Sequence, residues 1–111
     1  MPKMPKMTIT RQMVLGAFLE APDREFYGLE LMNTTGLASG TIYPILGWLD
    51  ALGWVESRHE DPEVGIREKR PTRRYYRLTA DGLKSGRAAM AKAHRSNRPA
   101  PWWLRRTGDA L

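Results

Sequence analysis

The spacing of apolar residues changes twice along this chain, and those changes restrict what it can fold into. As far as Gly53 the apolar positions recur every three or four residues, the interval of a buried helical face. They then alternate in "WVESRHE" (54–60) and "RRYYRLT" (73–79), as strands require, and the paired tyrosines add strand preference. From Thr79 the helical interval returns. The order is three helices, a hairpin and a last helix, which predicts an α+β class that is mostly α.

Ile9, Met13, Val14, Ala17 and Phe18 form the face of the first helix, capped by Thr8 or Thr10. "APDRE" (21–25) ends it. A second helix is predicted from Phe26 to Thr34 with Leu31 and Met32 inward, and Gly36 is placed to end it in the left-handed conformation. In "SGTIYPILGWLDALGW" (39–54), Ile42, Ile45, Leu46, Leu49 and Leu52 make the third helical face, yet Pro44 stands among them. With Thr41 as cap, Pro44 falls in the first turn, where its missing N–H has no partner to lose. With Ser39 as cap, one bond to Gly40 is lost instead. Between the strands "DPEVGIREKRPT" reads as a long polar loop. In the last helix Thr79 caps, Asp81 suits the positive first turn, and Ala80, Leu83, Met90 and Ala93 make a thin stripe.

A chain of 111 residues supports one hydrophobic core. It has no cysteine, which removes disulfides, thiolate metal sites and cysteine nucleophiles together. Asp50 interrupts the best bilayer-crossing candidate, and "MPKMPKMTIT" lacks the apolar stretch of a signal peptide. A cytoplasmic protein that does not insert in a membrane is expected. Charge is divided unevenly. Residues 1–55 hold four Lys/Arg against five Asp/Glu, a net −1, whereas residues 56–111 hold fourteen against seven, a net +7. That asymmetry suits a polyanionic partner, and equally a basic surface that only aids solubility.

The two helices joined at Gly36, followed by a hairpin with a basic tip, match a winged helix-turn-helix. "YGLELM" (27–32), "SGTIYPIL" (39–46), "LDALGWVES" (49–57) and "RRYYRLTADG" (73–82) resemble the PadR family of bacterial transcriptional regulators. There a "YGYEI"-like helix precedes a "GTLYPAL"-like recognition helix, and the return strand reads much like "KYYRLTEAG". The likeness spans about residues 10–90, in the same order. It implies a winged-helix repressor, usually a homodimer, without catalytic activity or cofactor. It also implies that some members accept a small aromatic effector between subunits.

On this reading residues 1–7 are a flexible lead-in, 8–79 the DNA-binding domain, and 80–111 a helix and tail for dimerisation. Double-stranded DNA would be met by Ser39, Gly40, Thr41, Tyr43, Pro44 and Trp48 on the recognition helix. Trp48 either touches a thymine methyl or sugar-phosphate edge, or is partly buried. Arg67, Lys69, Arg70, Arg73 and Arg74 would meet phosphates from the wing. Strand alternation sends Arg74 inward with Tyr76 and Leu78, and Arg73, Tyr75 and Arg77 outward. The subunit contact is assigned to Leu83, Met90, Trp102 and Trp103. His59, Glu60, Asp61 and Glu63 are too close in sequence at a strand end to converge on one metal ion. The competing class is a winged-helix module that holds a partner protein and does not itself bind DNA.

Overall fold

The structure, a computed structural model, describes residues 5–96. Helix α1 (Ile9–Glu20) leads to a short strand β1 (Phe26–Tyr27) and helix α2 (Gly28–Thr35), then helix α3 (Ser39–Ala51). Strands β2 (Val55–His59) and β3 (Arg74–Leu78) enclose a short helix α4 (Pro62–Arg67), and α5 (Ala80–Ser96) follows β3 directly.

Phe18 and Leu15 from α1, Leu31 from α2, and Ile42, Leu46 and Leu49 from α3 are fully buried. Gly36 ends α2 at φ 76°, which lets α3 turn back across it. The strands form an antiparallel sheet in the order β1–β3–β2, with Phe26 opposite Tyr76 and Val55 opposite Leu78. Those four side chains are buried, so this face of the sheet lies on the helices. Phe18 meets Phe26 edge to face with centroids 5.3 Å apart, which ties α1 to β1.

Thr79 is the one residue between β3 and α5, and it is held from both sides. Its N–H donates to the Trp54 carbonyl at 3.0 Å and its hydroxyl to the Gly53 carbonyl at 2.7 Å. The same hydroxyl accepts from the Gly82 N–H at 2.9 Å and caps α5, as the sequence predicts. Gly82 lies so close to β2 that a Cβ there would stand 1.9 Å from the Trp54 carbonyl oxygen. Further along, Gly86 faces Leu15 and Leu19, and Met90 reaches Gly16.

Three expectations change. Ile9 and Met13 are 66% and 40% exposed, because α5 covers the Leu15 and Gly16 flank and turns the buried stripe of α1 toward it. Phe26 and Tyr27 start a strand rather than a helix, since β3 offers them an edge to pair with. The connection between the long strands contains α4, started by Asp61, whose carboxylate accepts from the Glu63 N–H at 2.9 Å, and by Pro62. Leu83 and Met90 are half-buried against the chain's own core, where Gly86 brings α5 close to Leu15 and Leu19 of α1. Trp102 and Trp103 lie outside the described residues.

Helices packed around α3, a three-stranded sheet with a projecting β2–β3 connection, and a closing helix make a winged helix-turn-helix. Among the described residues no helix is long and apolar enough to cross a membrane.

Candidate nucleic-acid interface

Helix α3 is capped by neither Ser39 nor Thr41. Ala38 stands at the cap in extended conformation, and its carbonyl accepts from the N–H groups of Thr41 and Ile42, both at 3.0 Å. Pro44 is therefore inside the helix, and the bond from residue 44 to the Gly40 carbonyl cannot form. Apolar packing of Ile42, Ile45 and Leu46 outweighs that loss. Ser39, Gly40 and Pro44 are exposed and Thr41 is half-buried. Tyr43 is 51% exposed but leans on the start of α2, where a Cβ on Gly28 would meet its hydroxyl and ring. Gly28 is thus the seat of the Tyr43 ring.

Trp48 is half-buried on the α1 side of α3. The Arg11 guanidinium lies over its ring at 4.0 Å, and Trp54 stands 6.3 Å from it. The outward line of α3 is left to Gly40, Tyr43, Pro44, Gly47 and Ala51, all exposed. No lysine or arginine occurs between residues 39 and 51.

The wing is organised around Glu60, which is 7% exposed. Its carboxylate accepts from Arg70 at 2.7 and 2.9 Å, from the Tyr75 hydroxyl at 3.3 Å and from the Arg73 N–H at 3.4 Å. Arg70 also donates to Glu68 at 2.8 Å, so its charge is spent inside the wing. Gly65 permits this closure, because a Cβ there would stand 2.8 Å from the Arg70 carbonyl oxygen. The wing acids Glu60, Asp61, Glu63 and Glu68 offset much of the charge that a count over residues 67–74 suggests.

Alternation along β3 sorts the remaining cations. Arg73 points to the outer face of the sheet, where its guanidinium covers the Tyr27 ring at 3.9 Å. Arg58, paired with Glu25 at 2.7 Å, covers Tyr75 on the same face. Arg74 takes the inner face, as predicted, at the exposed end beyond the core. Arg67 and Lys69 are exposed at the tip, and Lys69 adopts φ 55° where the chain leaves α4. Among the described residues Arg67, Lys69 and Arg74 form no ion pair.

Hydrogen bonds from Arg70 hold the Glu60 carboxyl far below its ordinary range, at about 2; the Arg73 N–H and the Tyr75 hydroxyl add to this, and burial opposes it. A carboxylate whose folded pKa lies below its unfolded value contributes stability above the unfolded value and loses it as pH falls through the folded one. Stability owed to Glu60 should therefore disappear between the ordinary value of 4.5 and about 2. Urea midpoints measured downward from neutral pH should fall more steeply in the wild type than in Glu60→Gln across that window. Parallel curves would show that the wing does not depend on this charge.

Sequence reasoning did not single out Tyr27, Gly28 or Ser57, and it read Glu60 only as one of a run of acids. An acid ten residues before an arginine, across a loop, is a signal that a search for facing charges could have used.

The sequence model of the transcriptional regulator PadR-like family matches residues 19–89. No curated protein matches the chain. Solved structures it resembles include a PadR-like transcription factor from Bacteroides fragilis, at 20% identity and a TM-score of 0.61, over 78% of this chain and 82% of that one. A protein of Streptococcus mutans UA159 shares 19% identity with a TM-score of 0.62, over 86% of each chain. The PcaV transcriptional regulator from Streptomyces coelicolor, solved with its natural ligand, shares 23% identity with a TM-score of 0.55, over 84% of this chain and 64% of that one. At these identities the likeness concerns the fold alone. The family match covers more than half of the residues and contains α2, α3 and the whole wing, so the chain belongs to the PadR-like family of transcriptional regulators.

Proposed function

We propose that this regulator is a sequence-specific DNA-binding repressor that works as a homodimer in the cytoplasm. The observation that carries the reading is that Arg67, Lys69 and Arg74 of the wing are exposed cations without carboxylate partners among the described residues, on the hairpin whose sheet packs on the helices. In this fold the start of α3 approaches base edges in the major groove while basic wing residues neutralise phosphates. Ser39, Thr41 and Tyr43 supply hydroxyls for that approach, and α3 supplies no cation. Affinity then comes mostly from the wing and base choice mostly from the helix. Capture on sheared genomic DNA over a salt series tests this, and sequencing the retained fragments gives the operator. A DNA regulator shows retention that weakens with salt even on random fragments.

A protein-binding module is the second reading, favoured by Leu29 and Ile66, which are 53% and 76% exposed. It gives no salt-sensitive retention on DNA.

For assembly, Trp102 and Trp103 are the anchors of choice, because Leu83 and Met90 already face the chain's own core. A truncation after Arg98 is expected to stay folded, run as a monomer in light scattering, and bind DNA much more weakly. A truncated chain that remains a tight dimer places the contact elsewhere, and the exposed Ile9 and Met13 of α1 are then the next residues to change. A small aromatic effector between subunits is compatible with this assembly.

A further inference from the structure

Arg74 differs from the other wing arginines in how it is held. Its Nε and Nη2 both donate to the Ser57 hydroxyl, at 3.0 and 2.8 Å, and its guanidinium lies 5.5 Å from the Tyr76 ring centroid. The register explains the contact. Ser57 stands opposite Tyr76 and His59 opposite Arg74, so Ser57 and Arg74 are diagonal neighbours on the inner face of the hairpin. A hydroxyl and an aromatic ring fix the side chain without cancelling its charge. Arg70, by contrast, is neutralised by Glu60 and Glu68, and Arg73 is turned to the outer face. The inner face is also the one turned to the recognition helix: Tyr76 and Leu78 share one buried core with Ile42, Ile45 and Leu46 of α3.

We propose that Ser57 is a positioning residue, which holds the Arg74 guanidinium toward a DNA phosphate beside α3 with its remaining N–H groups directed outward. The proposal rests on the DNA-binding reading above and names the group that prepares one of its contacts. Long arginine side chains lose rotamer freedom when they bind. A hydroxyl that has already restricted Arg74 reduces that loss, which is the physical meaning of preorganisation. Ser57 never needs to touch DNA.

The test is a two-by-two set of Ser57→Ala and Arg74→Ala, with Ser57→Thr as rescue, titrated against a mixed-sequence duplex over a salt series. Arg74→Ala should weaken binding about tenfold, the size of one charge-assisted hydrogen bond. It should also flatten the slope of log affinity against log salt by about 0.9. Ser57→Ala should weaken binding by a smaller factor and leave the slope unchanged, because no charge is lost. The double variant should equal Arg74→Ala alone, and Ser57→Thr, which keeps the hydroxyl on a strand-favouring residue, should restore wild-type affinity. A Ser57→Ala variant that binds like the wild type, or one whose loss adds in full to that of Arg74→Ala, overturns the proposal while leaving DNA binding intact. A wild-type protein with no salt-sensitive affinity for the duplex overturns the proposal and the DNA-binding reading together.

Discussion

Gly82→Ala is expected to destabilise this protein by about 3 kcal/mol or more, the upper end of what overpacking costs. A helix interior normally prefers alanine to glycine by about 1 kcal/mol, so propensity alone predicts the opposite sign. Geometry decides. The added Cβ would stand 1.9 Å from the Trp54 carbonyl oxygen and 2.6 Å from the carbon that bears it. These are main-chain atoms of the strand approach and have no rotamer through which to retreat. Relief requires α5 to move off the sheet, which strips the Thr79 hydrogen bonds to Gly53 and Trp54 and exposes Ala89 and Leu15. Small domains have only about 5–15 kcal/mol in total. Gly47→Ala is the matched control: its Cβ enters open space on an exposed face of α3. There propensity acts unopposed and should stabilise by about 0.5–1 kcal/mol. Urea denaturation of the pair should separate them widely, and a Gly82→Ala variant as stable as Gly47→Ala would contradict the close approach of α5 to Trp54.

A second large effect is expected on DNA affinity when Arg67, Lys69 and Arg74 are all changed to alanine. Among the described residues none has an ion-pair partner to orphan, so the fold should lose little. If each contributes a charge-assisted contact of about 1.5 kcal/mol, affinity at low salt falls about a thousandfold. The salt slope should fall by about 0.9 for each phosphate contact removed. Arg58→Ala is the control for total charge, since Arg58 sits on the outer face of the sheet, paired with Glu25. It should barely change either quantity. An equal loss in Arg58→Ala would mean that the DNA responds to net charge and not to the unpaired cations of the wing.

The parts of this fold that the sequence made legible are those set by periodicity and by single special residues. Leu31, Ile42, Leu46 and Leu49 stand buried where their spacing put them, Gly36 takes its left-handed turn, and Thr79 caps α5. What it hid depends on contacts between distant segments. Leu15 is buried, and Met13 exposed, because α5 lies along one flank of α1, and no pattern within α1 records that. Helix α4 carries an aspartate cap followed by proline, a helix start by any reading. Its short length and Gly65 make it look like a loop until the Arg70 carbonyl is seen packed on that glycine. The wing cations show the same limit. Composition gives five basic residues, but only strand alternation and the buried Glu60 tell which are left without a carboxylate partner or an outer-face ring. Arg70 proves to be a fastener of the wing, and Arg73 a cover for Tyr27.

The single residue between β3 and α5 has a mechanical consequence. Thr79 is tied to Gly53 and Trp54 on one side and to Gly82 on the other, so the junction has no slack in which a bend could be absorbed. Wing strand and closing helix are joined without a linker, at the Trp54 main chain. The direction in which α5 leaves the sheet is therefore set by the same main-chain atoms that start β2 of the wing. Conversely, a wing seated in a groove fixes the angle at which α5 is offered to its surroundings. Bending at this junction would have to break at least one of the Thr79 hydrogen bonds, so wing and α5 keep a fixed relative angle as long as those bonds hold.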